Sequence, residues 1–244
     1  MNRLVYMRYE LLRTVRNRRY FLLALGFPIA LYFLIAAPNR GEQNLGGSGL
    51  SAPLYYMVGL AAFGAMAAIL SSGTRIAGER AVGWNRQLRI TPLTTRAYLR
   101  TKVLTGYLMA LLTVGLLYLA GSALGVRLPA ADWVHMTLLM IVALIPLAAL
   151  GILLGHMLTV DSIGPAVGGL TAMLAFVSGT WFPLGHGLLN DIGQCLPSYW
   201  LIQASHVALG GQAWPAKGWA VVAVWSAVLS VLARRAYRRD TQRV

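Results

Sequence analysis

The chain is poor in charge. Only 11% of its 244 residues are Asp, Glu, Lys or Arg, where a soluble globular domain carries about 25%. That is too little to cover the surface of an ordinary soluble domain. Acids are scarcer still, with 7 Asp and Glu against 21 Lys and Arg. The single cysteine, Cys195, excludes an intrachain disulfide framework and a Cys-cluster zinc site. There is no His cluster at metal-ligand spacing, no Asp/Glu pair and no phosphate loop of the form GxxxxGK[ST]. A Ser/His/Asp set can be drawn from Asp191 with His186 or His206, but nothing marks Ser198 or Ser205 as a nucleophile. The chain is therefore read as not an enzyme, with no catalytic, cofactor-binding or metal-ligating residue of its own.

What it has in abundance is apolar sequence, 57% of all residues. A bilayer-spanning helix needs about 20 predominantly apolar residues. Six segments qualify: 20–37, 53–73, 103–124, 133–155, 163–182 and 216–233, none containing an Asp or Glu. Pro28, Pro146 and Pro165 fall inside spans, which membrane helices tolerate. Gly121-x3-Gly125, Gly151-x3-Gly155 and Gly164-x3-Gly168 are small-residue patterns, read as packing within the subunit before a dimer seam. A proton-coupled transporter needs ionisable groups at membrane depth. These spans offer only His135 near an outer end, with His156 just past an inner one.

Orientation follows from the basic residues. Arg3, Arg8, Arg13, Arg16, Arg18 and Arg19 precede the first span, Arg75, Arg80, Arg86, Arg89, Arg96, Arg100 and Lys102 follow the second, and Arg234, Arg235, Arg238, Arg239 and Arg243 form the tail. The other side holds Arg40, Arg127 and Lys217. The split places both termini in the cytoplasm of a multi-pass protein of the bacterial plasma membrane. It also turns the net charge of +14 into a matter of topology rather than of nucleic acid, which is not expected as a partner. Arg18-Arg19 ahead of an apolar run resembles a twin-arginine export signal, but that run is longer than a signal peptide's and reads as a retained helix.

The 1–19 segment reads as an interfacial helix. Leu4, Met7, Leu11, Leu12 and Val15 share an arc, Arg3, Glu10, Arg13 and Arg16 lie off it, and Arg8 breaks the pattern. The 74–102 segment is the longest charged stretch. Trp84, Leu88 and Ile90 stand among its basic residues, Glu79 is its only acid, and a helix start is expected near Thr94 or Thr95 after Pro92. The 183–215 segment is too polar and broken to span and divides at Pro197, as a re-entrant or interfacial outer piece would. In it Leu188, Leu189, Ile192, Cys195 and Leu196 make one stripe, with Asn190, Asp191 and Gln194 opposite. The fold expected is one all-α polytopic membrane domain over 1–244.

Two stretches carry a family resemblance. One is Glu79-Arg80-Ala81-Val82-Gly83-Trp84-Asn85-Arg86-Gln87-Leu88-Arg89-Ile90-Thr91-Pro92-Leu93, and the other is Phe176-Val177-Ser178-Gly179-Thr180-Trp181-Phe182-Pro183-Leu184 with Leu196-Pro197 following. With the six-span layout they resemble the permease subunit of type-2 ABC transporters, the group with the daunorubicin-resistance-type exporters. Many relatives have Thr and an acid after the loop glycine, where this chain has Trp84 and Arg86.

The resemblance implies a second permease subunit, identical or sister, and two copies of a cytoplasmic ATPase that holds ATP and Mg. It implies that Glu79, Arg80, Gly83, Trp84, Arg86, Leu88, Arg89, Thr91 and Pro92 form a coupling loop against that ATPase. Ser178, Gly179, Trp181, Phe182, Pro183 and Pro197 would form an outer gate. The implied activity is export of a hydrophobic or amphipathic compound, an antibiotic or a lipid-like molecule. The alternatives are a permease-like subunit serving regulation or envelope assembly, and a stand-alone membrane enzyme, against which the missing buried acids argue. Membrane lipid is the remaining partner expected.

Overall fold

The computed structural model describes residues 3–17, 25–84, 87, 94–210 and 213–242. Among them every regular element is helical: α1 (Arg3–Arg16), α2 (Phe27–Ala36), α3 (Ala52–Ala81), α4 (Thr95–Ala123), α5 (Ala130–Met157), α6 (Val160–Val177), α7 (Leu188–Gln194), α8 (Pro197–Gln203) and α9 (Ala216–Gln242), with short 3-10 turns at Leu45–Gly47 and Ala204–Leu209. Five of these, α3, α4, α5, α6 and α9, are long and apolar enough to cross a membrane. The sixth expected span is represented by the ten-residue apolar α2, and residues 20–24 of it lie outside the described residues.

Local chemistry sets the ends. Thr94, with extended backbone, accepts a hydrogen bond from the Ala97 N–H and caps α4 where a helix start was expected. Thr159 and Ser162 form a capping box on α6, and Pro53 and Pro197 sit in the first turns of α3 and α8. Glycines in the left-handed region close three helices: Gly83 (φ +69°) after α3, Gly125 (φ +92°) after α4 and Gly179 (φ +79°) after α6. At the last, Thr180 N–H bonds the Ala175 carbonyl and Gly179 N–H that of Phe176, the paired bonds of a Schellman end. This is why α6 stops at Val177 and not at residue 182. The opposite difference occurs in α3, which runs past residue 73 to Ala81: Gly78 stays out of the left-handed region, and the first glycine that takes it is Gly83.

The core is built round α3. Its most apolar window is 83% buried, against 28% for α6 and 22% for α9. α2, α4, α5 and α6 all pack on α3, and α9 packs on α5. The closest crossing is α3 on α5. A Cβ on Gly73 would collide with the Gly151 carbonyl oxygen, and one on Gly155 would lie 2.8 Å from the Gly73 carbonyl oxygen. The 151/155 pattern is thus an intrachain contact, and Gly121 likewise meets Met57. Gly164 and Gly168 differ: a Cβ there meets nothing within 4 Å.

α1 and α7 each turn one narrow face inward. In α1, Tyr6, Glu10 and Thr14 are buried while Leu12 is 44% exposed. In α7, Gly193 packs against the end of α6, with its Cβ position 2.7 Å from the Val177 carbonyl oxygen, while Leu188 and Ile192 face out.

Candidate functional site

Among the described residues, the densest charge cluster lies at the C-terminal end of α3. Glu79, 3% exposed, lies in the last turn of that helix. Lys102 of α4, completely buried, places Nζ 2.5 Å from Glu79 Oε1 and 2.6 Å from Glu10 Oε1 of α1. Tyr98 Oη donates to Glu79 Oε2 at 2.7 Å. Arg75 stands 3.8 Å from Glu10 and donates to Thr14 Oγ1 at 2.7 Å. Arg13 reaches Glu79 from the exposed side at 3.4 Å. Three helices therefore meet at one ammonium, and each buried charge has an opposite charge in hydrogen-bonding range, the condition under which burial is tolerated. Beside them, burial and the Glu79 and Glu10 carboxylates raise the Tyr6 phenol well above its usual range, so it stays neutral.

Arg80, the next residue, points the other way. Its Nε and Nη2 hold the two oxygens of Asp240, each at 2.8 Å, in a bidentate pair. Its Nη1 donates to the Gly155 and Leu158 carbonyls at 2.9 and 3.2 Å, satisfying the C-terminal end of α5. His156 Nδ1 lies 3.0 Å from Asp240 Oδ2, and the ring meets Tyr237 edge-on at 5.2 Å. Arg80 thus binds α3 to α5 and α9.

The outer end is made differently. Tyr55 Oη donates to the Gly179 carbonyl, and Ser178 Oγ to Ser198 Oγ at 2.6 Å. Gly59 approaches the Thr180 carbonyl so closely that a Cβ would lie 2.8 Å away. Three indoles tie the broken segment together: Trp200 Nε1 to the Gln194 carbonyl (3.2 Å), Trp214 Nε1 to that of Trp200 (2.9 Å) and Trp225 Nε1 to that of Cys195 (2.8 Å). Trp181 packs against Phe63 at 5.6 Å, and Phe182 meets Phe176 at 5.5 Å. Pro183 covers Gly46 at 3.2 Å from its Cβ position, and Pro197 is buried.

Of the residues singled out for partner contact, Glu79 and Arg80 are engaged within the chain. Glu79 bonds to α4 and α1, because α3 continues as helix and directs it into the bundle. Gly83 turns the chain, Val82 is 76% exposed and Trp84 39%. Arg86, Leu88, Arg89, Thr91 and Pro92 lie outside the described residues. The outer residues Ser178, Gly179, Trp181, Phe182, Pro183 and Pro197 do gather at one end. Reading the sequence missed Glu10, Lys102, His156 and Asp240. The available signal was rarity: Glu10 and Asp240 are the only acids in α1 and α9. Elsewhere, Ser198 is paired with Ser178, and the Ser205 hydroxyl donates to the Ile202 carbonyl at 2.7 Å.

A bundle of long apolar helices whose buried charges, among the described residues, gather at one end is the build of a membrane-embedded subunit, and the chain is a type-2 ABC permease by the following matches. The model of the ABC-2 family transporter protein matches residues 42–234, and the chain belongs to that family. It is also 28% identical over 197 residues to YvfS of Bacillus subtilis (strain 168), a protein bearing the name of a transport permease, with 78% of each chain covered. A permease of this family is not itself an enzyme, resides in a membrane and associates with an ATPase subunit.

Proposed function

We propose that this chain is the membrane half of an ATP-driven exporter for a hydrophobic or amphipathic compound, antibiotic-like or lipid-like. As a single domain over 1–244 it crosses the bacterial plasma membrane with both termini in the cytoplasm and pairs with a second permease, identical or sister. Two ATPase subunits, carrying ATP and Mg, bind the cytoplasmic end. Docking falls on Gly83, Trp84, Arg86, Leu88, Arg89, Thr91 and Pro92, with Glu79 and Arg80 fixing the helix end behind them. Ser178, Gly179, Trp181, Phe182, Pro183 and Pro197 form the outer gate. Tyr9, Leu12, Arg13, Arg16 and Asn17 line an open hollow on the outward side of α1, suited to the headgroup region of an anionic membrane.

The observation that carries the docking reading is the exposed apolar pair Val82 and Trp84, at 76% and 39%, placed directly after the braced end of α3 in an ABC-2 family chain. An apolar indole held at a turn next to a rigid helix end is suited to a groove on a partner protein. The test is co-expression with the nucleotide-binding subunit. The wild-type chain should retain that subunit through purification, the complex should hydrolyse ATP, and Trp84→Glu should insert normally but lose the subunit. Full retention by Trp84→Glu sinks the docking assignment. Cysteine placed at Ser48 should be labelled by an impermeant reagent from outside and cysteine at Thr94 should not, in a Cys195→Ser background; the reverse pattern sinks the topology.

A further inference from the structure

We propose that Glu79 and Arg80 are a crossbar that divides the movement of the docking segment between two pairs of helices, Glu79 driving α1 with α4 and Arg80 driving α5 with α9. This rests on the reading of the chain as an ATPase-driven permease and names how the stroke enters the bundle. Successive residues of an α-helix point about 100° apart, and here each of the two neighbours is bonded on its own side. On one side Lys102 Nζ lies 2.5 Å from Glu79 and 2.6 Å from Glu10. On the other, Arg80 grips Asp240 through two 2.8 Å contacts while capping α5 at Gly155 and Leu158.

Each terminal helix brings one acid to this bar, and that acid is the only one it has. Glu79, Arg80, Lys102 and His156 fall within the residues matched by the family model, 42–234, while Glu10 and Asp240 fall outside them. The middle of the bar lies in the family's matched core, and α1 and α9 each bring one carboxylate to it from outside the matched residues. The link is stiff. Lys102 is completely buried, so separating it from either carboxylate strands a charge away from water. The guanidinium fork fixes angle as well as distance. Among the described side chains of α1, the buried ones are Tyr6, Glu10 and Thr14, so the Glu10 carboxylate and the Thr14 hydroxyl tie that helix to α3 and α4 while the Tyr6 ring packs against Tyr98. A displacement at Gly83 therefore reaches four helices through two side chains instead of fraying the end of α3.

The experiment uses the complex with its ATPase in lipid nanodiscs, in a Cys195→Ser background. Spin labels replace exposed Leu12 of α1 or exposed Leu232 of α9, each measured against a label at exposed Val134 near the outer end of α5. Distances are compared without nucleotide and after trapping with Mg·ATP and orthovanadate. In the wild type both distances should shift. Glu10→Gln should abolish the α1 shift and keep that of α9; Asp240→Asn should do the reverse, and Asp240→Glu should recover the α9 shift. Where Glu10→Gln assembles poorly, Glu10→Gln/Glu79→Gln/Lys102→Met removes the buried Glu10, Glu79 and Lys102 charges together and should still lose the α1 shift alone. Wild-type shifts in both labels for the charge-free variant and for Asp240→Asn overturn the crossbar while leaving the ATP-driven reading intact. A wild-type complex in which neither label responds to trapping overturns the ATP-driven reading and the crossbar with it.

Discussion

The two ends of the helix bundle hold the chain together with different chemistry. At the Glu79 end, which the proposed topology places in the cytoplasm, α1, α3, α4, α5 and α9 are joined by full charges: Glu10, Glu79 and Asp240 against Lys102, Arg75 and Arg80. At the opposite end, the outer one in that topology, α3, α6, α7, α8 and α9 are joined by neutral donors and close backbone approaches: Tyr55, Ser178, three indoles and glycines at 59, 193 and 218. Charge pairs are strong and directional but fail badly when one member is lost. Neutral hydrogen bonds and glycine contacts are individually small, so the outer end can yield one bond at a time.

Mutations sharpen this contrast in order of size. Lys102→Ala should be the most damaging, because it leaves Glu10 and Glu79 buried without their cation. A loss of about 3–5 kcal/mol is expected, read as a large drop in the detergent melting temperature. The charge-free triple variant should recover most of it, and failure to recover would mean that Lys102 acts by packing instead of charge. Gly73→Ala tests the shared middle of the bundle, since the new methyl meets the Gly151 carbonyl. About 1–3 kcal/mol is expected, and an unchanged melting point would show that α3 and α5 can separate freely.

The outer end should respond less. Gly179→Ala puts a side chain at φ +79°, with its Cβ 2.9 Å from Leu184. A cost of about 1–2 kcal/mol is expected, with 178–182 altering its packing on α3 while the cytoplasmic end keeps wild-type behaviour. Smallest of all should be Arg13→Gln. Arg13 is 71% exposed and only supplements Lys102 at Glu79, and exposed pairs contribute about 0–1 kcal/mol. A large effect from it would erase the distinction between the buried core of the charge cluster and its rim.

Much of the bundle was legible in the apolar runs. Five of the six expected spans correspond to long apolar helices, Thr94 caps α4, and the outer segment breaks at Pro197. The family was legible too, in the 79–93 and 176–184 stretches. Span ends were less so: Gly179 stops α6 five residues early, although a glycine after Ser178 is a readable stop, and α3 continues where charge suggested a loop. The pairings were not legible. Lys102 and Arg80 counted only as basic residues on one side of the membrane, and Glu79 as a lone loop acid. Helical wheels gave the apolar stripes of α1 and α7 but not the residues that meet the bundle, where Glu10 and Gly193 are turned inward.

By itself the sequence determined that the chain is an all-helical bundle of membrane-crossing lengths, because a bilayer accepts little besides apolar helices of about 20 residues. It determined where turns fall, because glycine, proline and hydroxyl caps act through neighbouring backbone. The tertiary structure decided which charges meet. Glu10, Glu79 and Lys102 are separated by up to 92 residues, and Arg80 and Asp240 by 160. No local preference links residues so distant. Only the crossing of α3 with α5, and the packing of α4 and α9 around that pair, brings them within hydrogen-bonding range.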